Sequence, residues 1–251
     1  MIDVEAYLQR INYRGPRQPT AATLSRLQVA HLLAVPFENL SIHRGEPIIL
    51  DDEALFEKIV ARRRGGFCYE LNGLFAALLR ALRFDVTMLA AEVMNEEGFG
   101  PPFDHMTLMV ALDERWLVDV GFGDSFREPL RLDKRAEQVQ GQRAYRIDSD
   151  RGRLLLWQRD GDGPWRAQYR FDLTPYGYED YTAMCHFHQT SPQSHFAQRR
   201  VCSRATPDGR VTLGEMRLII THNGQRHERE LAGEAAYTEA LREQFDIILE
   251  R

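Results

Sequence analysis

Up to Leu82 the apolar residues of this chain recur at steps of three and four; from Phe84 onward they come in short runs rich in β-formers, bounded by Gly, Pro or Asp. The period of the apolar positions selects helix or strand. The break near residue 83 therefore predicts a helical first third and a sheet-forming middle third, followed by a mixed tail. Residues 2–8 and 20–35 carry helical spacing. In the second, Leu24, Leu27, Ala30, His31 and Leu33 recur on that period, Thr20 is placed to cap the start, and Pro36 ends it. Asp51-Asp52-Glu53 opens another helix, its carboxylates suiting the positive helix end, with Leu55, Phe56, Ile59 and Val60 on one side. A third runs from about Cys68 to Leu82. Segments 84–93, 105–112, 115–120, 144–147, 153–158 and 165–171 predict antiparallel sheet or a small barrel. A short helix over 178–185, strands near 199–205 and 211–221 with a turn at Asp208-Gly209, and a helix over 234–249 complete the chain.

At 251 residues the chain is long enough to bury a core. Its net charge of −5 argues against nucleic acid as the main partner, without bearing on a small anion held in a local basic pocket. Cys68, Cys185 and Cys202 form no CxxC pair and read as reduced thiols. The first ten residues are mixed and polar, unlike a signal peptide, and no segment approaches roughly 18 uninterrupted apolar residues. A soluble, cytoplasmic protein with no membrane partner is expected.

Within this frame the stretch R-R-R-G-G-F-C-Y-E-L-N-G-L-F, residues 62–75, stands out. Gly65-Gly66 permit a tight turn and close approach, and the helical pattern starts at or just after Cys68. A thiol there lies at the positive end of the helix dipole beside unpaired N–H groups. Both favour a thiolate and predict a lowered pKa. A free cysteine is also, commonly, just a small buried hydrophobe. A nucleophile needs a base and an orienting acid. His105 sits where a loop becomes a strand, and Asp119 near the end of the next strand among apolar neighbours. A buried carboxylate requires a partner, and a protonated His105 is one. A lone strand-edge histidine and a turn carboxylate are the plainer alternatives.

The chain resembles the arylamine N-acetyltransferase family, most of all its bacterial members, including the N-hydroxyarylamine O-acetyltransferases. The matching stretches are Y-L-Q-R-I (7–11), V-P-F-E-N-L (35–40), R-R-G-G-F-C-Y-E-L-N-G-L-F (63–75), D-H-M-T-L-M-V (104–110), V-D-V-G-F-G (118–123) and S-P-Q-S-H-F (191–196). The resemblance implies an α+β fold with a cysteine-protease-like Cys-His-Asp core. Its parts are an N-terminal helical bundle over 1–83, a central antiparallel β-barrel over 84–190 and a C-terminal α/β lid over 191–251, shortened at the C-terminus. It implies the triad Cys68, His105 and Asp119, and ping-pong acetyl transfer from acetyl-CoA to an arylamine, arylhydrazine or N-hydroxyarylamine. Acetyl-CoA is then a co-substrate, with no tightly bound cofactor. Gly123 and Thr107 match cofactor-contacting positions, and Phe37, Phe122 and Phe196 match aromatics of the acceptor pocket. For each Phe the core is an alternative, as a turn is for Gly123 and a strand interior for Thr107. Arg64 and Glu70 flank the nucleophile, where an Arg–Glu pair would pin the loop, and residues 62–64 are in part a solvated face.

Residues 184–190, M-C-H-F-H-Q-T, follow the bacterial pattern loosely. Cys185, His186 and His188 lack a fourth ligand at a standard spacing and read as loop and core residues, with no metal expected. An amide synthase of the same family would carry the same triad with another acyl donor. A Cys-His-Asp thiol hydrolase is a second competitor, and an inactive binding protein a third, opposed by the intact triad. Oligomeric state stays open.

Overall fold

The structure, a computed structural model, describes residues 2–249. Helices α1 (Val4–Arg10), α2 (Ala21–Ala34) and α4 (Asp52–Phe56) start where the sequence supplies caps. The side chains of Asp3, Thr20 and Asp51 accept the N–H groups of Ala6, Thr23 and Ala54. Between them lie the two-residue strand β1 (Phe37–Glu38) and the single turn α3 (Leu40–His43). A π-helical turn, Glu57–Ala61, extends α4 toward the loop that carries the nucleophile candidate. Helix α5 (Cys68–Ala81) is buried on every side from Cys68 to Leu79. It is the central helix, enclosed by α1, α4 and strands β2 (Asp85–Asn95) and β4 (His105–Ala111).

The sheet-forming region builds one nine-stranded antiparallel sheet. Besides β2 and β4 it holds β3 (Gly98–Phe99), β5 (Arg115–Val118), β6 (Leu130–Arg131), β7 (Gln138–Gln140), β8 (Arg143–Asp150), β9 (Arg153–Asp160) and β10 (Arg166–Phe171). The strands run β6-β5-β4-β2-β10-β9-β8-β7, with β3 paired to β2. The two ends of this path meet through side chains. Gln138 bonds both backbone groups of Arg131, and Gln140 bonds Arg127 N, Glu128 N and Glu128 O. The sheet thereby approaches a closed barrel around Leu89, Leu117, Phe126, Tyr145, Leu156, Tyr169 and Phe171. Alternation along β4 sends Met106, Leu108 and Val110 into the core shared with α5. His105, Thr107 and Met109 take the opposite face.

Helices α6 (Tyr178–Thr190) and α7 (His195–Gln198) lead to a five-stranded sheet, β1-β11-β12-β13-β14. Its strands are β11 (Val201–Thr206), β12 (Gly209–Gly214), β13 (Arg217–His222) and β14 (Gln225–Glu230), covered by α8 (Glu234–Phe245). Several boundaries differ from expectation. Helix α6 runs five residues beyond 185. The single strand expected over 211–221 is two, turning at Glu215, which has a φ of 43°. Strand β14, Q-R-H-E-R-E, was not expected: it is exposed along its whole length and so has no apolar alternation. Helix α8 stops at Phe245, where Asp246 adopts a left-handed cap.

Candidate active site

The loop before Cys68 is anchored by neighbours far away in sequence. A Cβ on Gly65 would lie 2.0 Å from the Pro36 carbonyl oxygen, so only glycine lets this loop lie against the segment before β1. The Glu38 N–H donates to the Gly66 carbonyl at 2.9 Å. Arg62 and Arg63 are exposed, while Arg64 is buried and paired to Glu38 at 2.9 Å. Glu70 is bound instead by Lys58 at 2.6 Å and accepts the Phe67 N–H at 3.1 Å. The single Arg–Glu pin expected around the nucleophile is thus two separate pairs.

Cys68 is the first residue of α5 and only 3 % exposed. Burial pushes its thiol well above the ordinary value; the Met106 N–H bonds to the sulfur and favours the thiolate, while Asp104 and Asp119 oppose it. The lowered pKa expected from the helix start is therefore overturned: desolvation outweighs the Met106 hydrogen bond.

His105 and Asp119 meet as the topology requires. His105 opens β4, Asp119 directly follows β5, and the β4–β5 register pairs Leu108 with Val118. His105 Nε2 lies 2.7 Å from Asp119 Oδ2. Tyr169 donates to the same oxygen at 3.1 Å. Asn72 Nδ2 and the Gly121 N–H each donate to Oδ1 at 2.9 Å. Burial resists ionisation of Asp119, but His105, Asn72 and the Gly121 N–H together bring its pKa below the usual carboxylate range. Asn72 also donates to the Met106 carbonyl at 2.6 Å and accepts the Val120 N–H at 2.9 Å. It ties the start of α5 to strand β4 and to the segment just after β5. Asn72 and Tyr169 were not identified from sequence. A polar residue one helical turn after Cys68, at the head of the apolar run Leu74–Leu79, was the available signal for Asn72; Tyr169, on a distant strand, had none.

The expected binding residues divide. Thr107 is fully buried behind the pair, its hydroxyl donating to the Val118 carbonyl at 3.1 Å and lying 3.4 Å from Tyr169 Oη. In this structure it acts as internal support for the end of β5. Gly123 has a φ of +93° with open space beside it. Phe122 packs against the His105 and Tyr169 rings at 5.1 Å. Phe37 and Phe196 lie 6.1 Å apart, with Phe196 5.6 Å from Phe67. Phe37, Phe122 and Phe196 are half-buried, and Phe67 is fully buried. A small pocket at Asp119, Phe122 and Gly123 shares Ser125, Arg127 and Arg210 with a cleft of about 660 Å³, which Arg143 also lines. Among the described residues no group of three His, Cys, Asp or Glu is arranged to hold a metal ion, and no helix is long and apolar enough to cross a membrane.

Known proteins share this arrangement of chain. A family model described as N-acetyltransferase matches residues 20–251. The arylamine N-acetyltransferase of Escherichia coli (strain K12) is 35 % identical over 246 residues, 96 % of this chain and 87 % of that protein. The chain belongs to the arylamine N-acetyltransferase family. Another family member, the arylamine N-acetyltransferase / N-hydroxyarylamine O-acetyltransferase of Salmonella typhimurium, is 35 % identical, covering 90 % of this chain and 82 % of its own. The solved arylamine N-acetyltransferase of Mycobacterium marinum matches with a TM-score of 0.91 and 35 % identity, over 98 % of this chain and 93 % of that one. The same mycobacterial enzyme in complex with CoA matches with a TM-score of 0.90 at the same coverage.

Proposed function

We propose that this chain transfers an acetyl group from acetyl-CoA to the nitrogen, or N-hydroxy oxygen, of arylamines and arylhydrazines through an acetyl-Cys68 intermediate. The carrying observation is the buried His105–Asp119 pair together with a thiol at a helix start whose sulfur accepts the N–H of Met106, the residue after His105, in a chain of this family. Asp119 occupies Nε2 of His105, so Nδ1 is the nitrogen that takes the Cys68 proton. Because burial disfavours an isolated thiolate, the sulfur is charged through the imidazolium that Asp119 then stabilises, rather than by the helix start alone.

The thiolate attacks the thioester carbonyl of acetyl-CoA, and the oxyanion is met by N–H groups at the start of α5. The C–S bond to CoA breaks, CoA leaves with the proton from His105, and acetyl-Cys68 remains. Thioester-to-thioester exchange is nearly balanced, so the intermediate is no trap. The acceptor nitrogen or oxygen then attacks the acetyl carbon, gives its proton to His105, and releases Cys68.

The arginine-lined cleft supports a phosphate-bearing donor. It joins the catalytic pair through Gly123, whose open backbone admits close approach. The half-buried rings of Phe37, Phe122 and Phe196 suit an aromatic acceptor, and they must shift for a substrate to reach the enclosed sulfur. Three free cysteines fit a reducing, cytoplasmic setting.

The test is intact mass after mixing with acetyl-CoA and no acceptor. A gain of roughly 42 Da that is lost in Cys68→Ala, and discharged by an added arylamine, is expected. A gain retained in Cys68→Ala, or none in the unaltered protein, overturns the reading.

A further inference from the structure

Helix α6 carries a buried histidine that these acyl-transfer steps do not use. His188 Nδ1 lies 3.1 Å from Ser194 Oγ. Its Nε2 lies 3.3 Å from Asp104 Oδ1, at ion-pair distance though off the line of a hydrogen bond. His188 and Ser194 are each 2 % exposed. Ser194 caps the single turn of α7, its Oγ accepting the Phe196 N–H at 3.3 Å. A hydroxyl that accepts from Phe196 is free to donate to His188 Nδ1, which leaves the ring proton on Nε2, facing the Asp104 carboxylate. The Phe196 carbonyl is held from the opposite side, accepting from Asn39 Nδ2 at 2.8 Å and from His43 Nε2 at 3.0 Å. The His188 ring itself lies edge-on to Phe196 at 5.2 Å and to Phe67, the residue before Cys68, at 6.4 Å.

We propose that His188, through Ser194 and Asp104, is a positioning residue that sets acceptor specificity by holding the Phe196 ring against Phe67, the residue before Cys68. It touches no reacting atom. This rests on the proposed function, in which Phe196 lines the acceptor side. A one-turn helix has almost no stability of its own, so the place of Phe196 depends on its tethers. With the Ser194 tether cut, the ring samples a wider space and contributes less to holding an acceptor. Acylation of Cys68 proceeds unchanged, because the donor cleft opens at Gly123, on the Phe122 side.

The experiment separates the half-reactions in Ser194→Ala, Ser194→Thr, His188→Gln and the double variant Ser194→Ala/His188→Gln. The first arm is the rate of acetyl-Cys68 formation from acetyl-CoA, followed by mass. The second is KM and kcat with aniline and with the two-ring acceptor 2-naphthylamine. Acylation within about twofold of the unaltered protein is expected, with a roughly five- to tenfold rise in KM for aniline in Ser194→Ala and His188→Gln. Preference should shift toward the larger amine. Ser194→Thr, which keeps the hydroxyl, restores KM. The double variant is no worse than the worse single one, because both cut one tether.

Thermal melts accompany each variant, and if Ser194→Ala does not fold, His188→Gln carries both arms. An unchanged KM in a folded variant, or acylation and acceptor use falling together with the melting temperature, overturns the proposal. If acetyl-CoA does not acetylate the unaltered protein, the proposed function falls and this inference with it. If it does, and the variants match it in both arms, this inference alone falls.

Discussion

At the residue scale the site depends on one fully satisfied carboxylate. Asp119 receives hydrogen bonds from His105, Tyr169, Asn72 and Gly121, which is why it can stay ionised while buried. Asp119→Asn leaves a buried imidazolium without its counter-charge and aims an amide NH₂ at existing donors. Acylation should fall more than about a hundredfold, and denaturant titration should show a stability loss of roughly 3 kcal/mol. The depressed pKa gives a definite sign with pH. Its stabilising contribution is complete above the unfolded carboxylate value, about 3.9, and is lost as pH falls through the lower folded value. Cysteine reactivity tests who charges the sulfur. Burial pushes Cys185 up to about 12 and Cys202 well above the ordinary value, and neither has a histidine base assigned to it. Iodoacetamide at neutral pH should alkylate Cys68 first in the unaltered protein, and His105→Gln should erase that preference, as read by peptide mass mapping.

At the element scale, the start of α5 is positioned by contacts across the chain rather than by its own loop. Gly65→Ala would drive a methyl group into the Pro36 carbonyl, at 2.0 Å. A destabilisation of about 2 kcal/mol or more is expected from thermal and denaturant unfolding, with acylation slowed as Cys68 shifts. The packing of α2 has its own pH signature. His31 is fully buried, 2.9 Å from Tyr7 Oη and edge-on to Phe75, and burial lowers its pKa to about 3. The unfolded chain takes up this proton below about 6.5, whereas the folded protein does not until about 3. Its contribution is therefore complete above pH 6.5 and declines on acidification, by about 2 kcal/mol at pH 5. Urea titrations at pH 7 and pH 5 should differ by about that much less in His31→Phe than in the unaltered protein.

For the whole molecule, the notable feature is the joining of barrel and C-terminal sheet around the cleft. The Arg127 guanidinium donates to the carbonyls of Thr206, Pro207 and Gly209, tying the loop after Asp119 to the β11–β12 turn. Arg143 pairs with Asp124 and Asp160, and Arg210 lies 3.3 Å from Asp124. If this cleft receives the nucleotide end of the donor, Arg143→Gln should raise KM for acetyl-CoA by about tenfold. It should leave S-acetyl-N-acetylcysteamine, which lacks phosphates, unaffected. An equal effect on both donors would place the nucleotide elsewhere.

The helices with caps at Thr20 and Asp51 were legible because capping and period are local: the residues that make the element lie within it. The strands that carry His105 and Asp119 were legible for the same reason, and those two residues do meet. Strand β14 was not, since period 2 reports burial of one face and this strand has no buried face. The turn at Glu215 is not legible in the sequence because its left-handed residue is not a glycine. Sequence alone thus determined the main helices and most strands, the family pattern, and the pairing of His105 with Asp119. Only the tertiary structure decided that Asn72 and Tyr169 complete the carboxylate's shell, that Thr107 is sealed inside, and that burial raises the Cys68 pKa. Solvation and hydrogen-bond partners are properties of a neighbourhood, and here the neighbours come from strands and helices far apart in the chain.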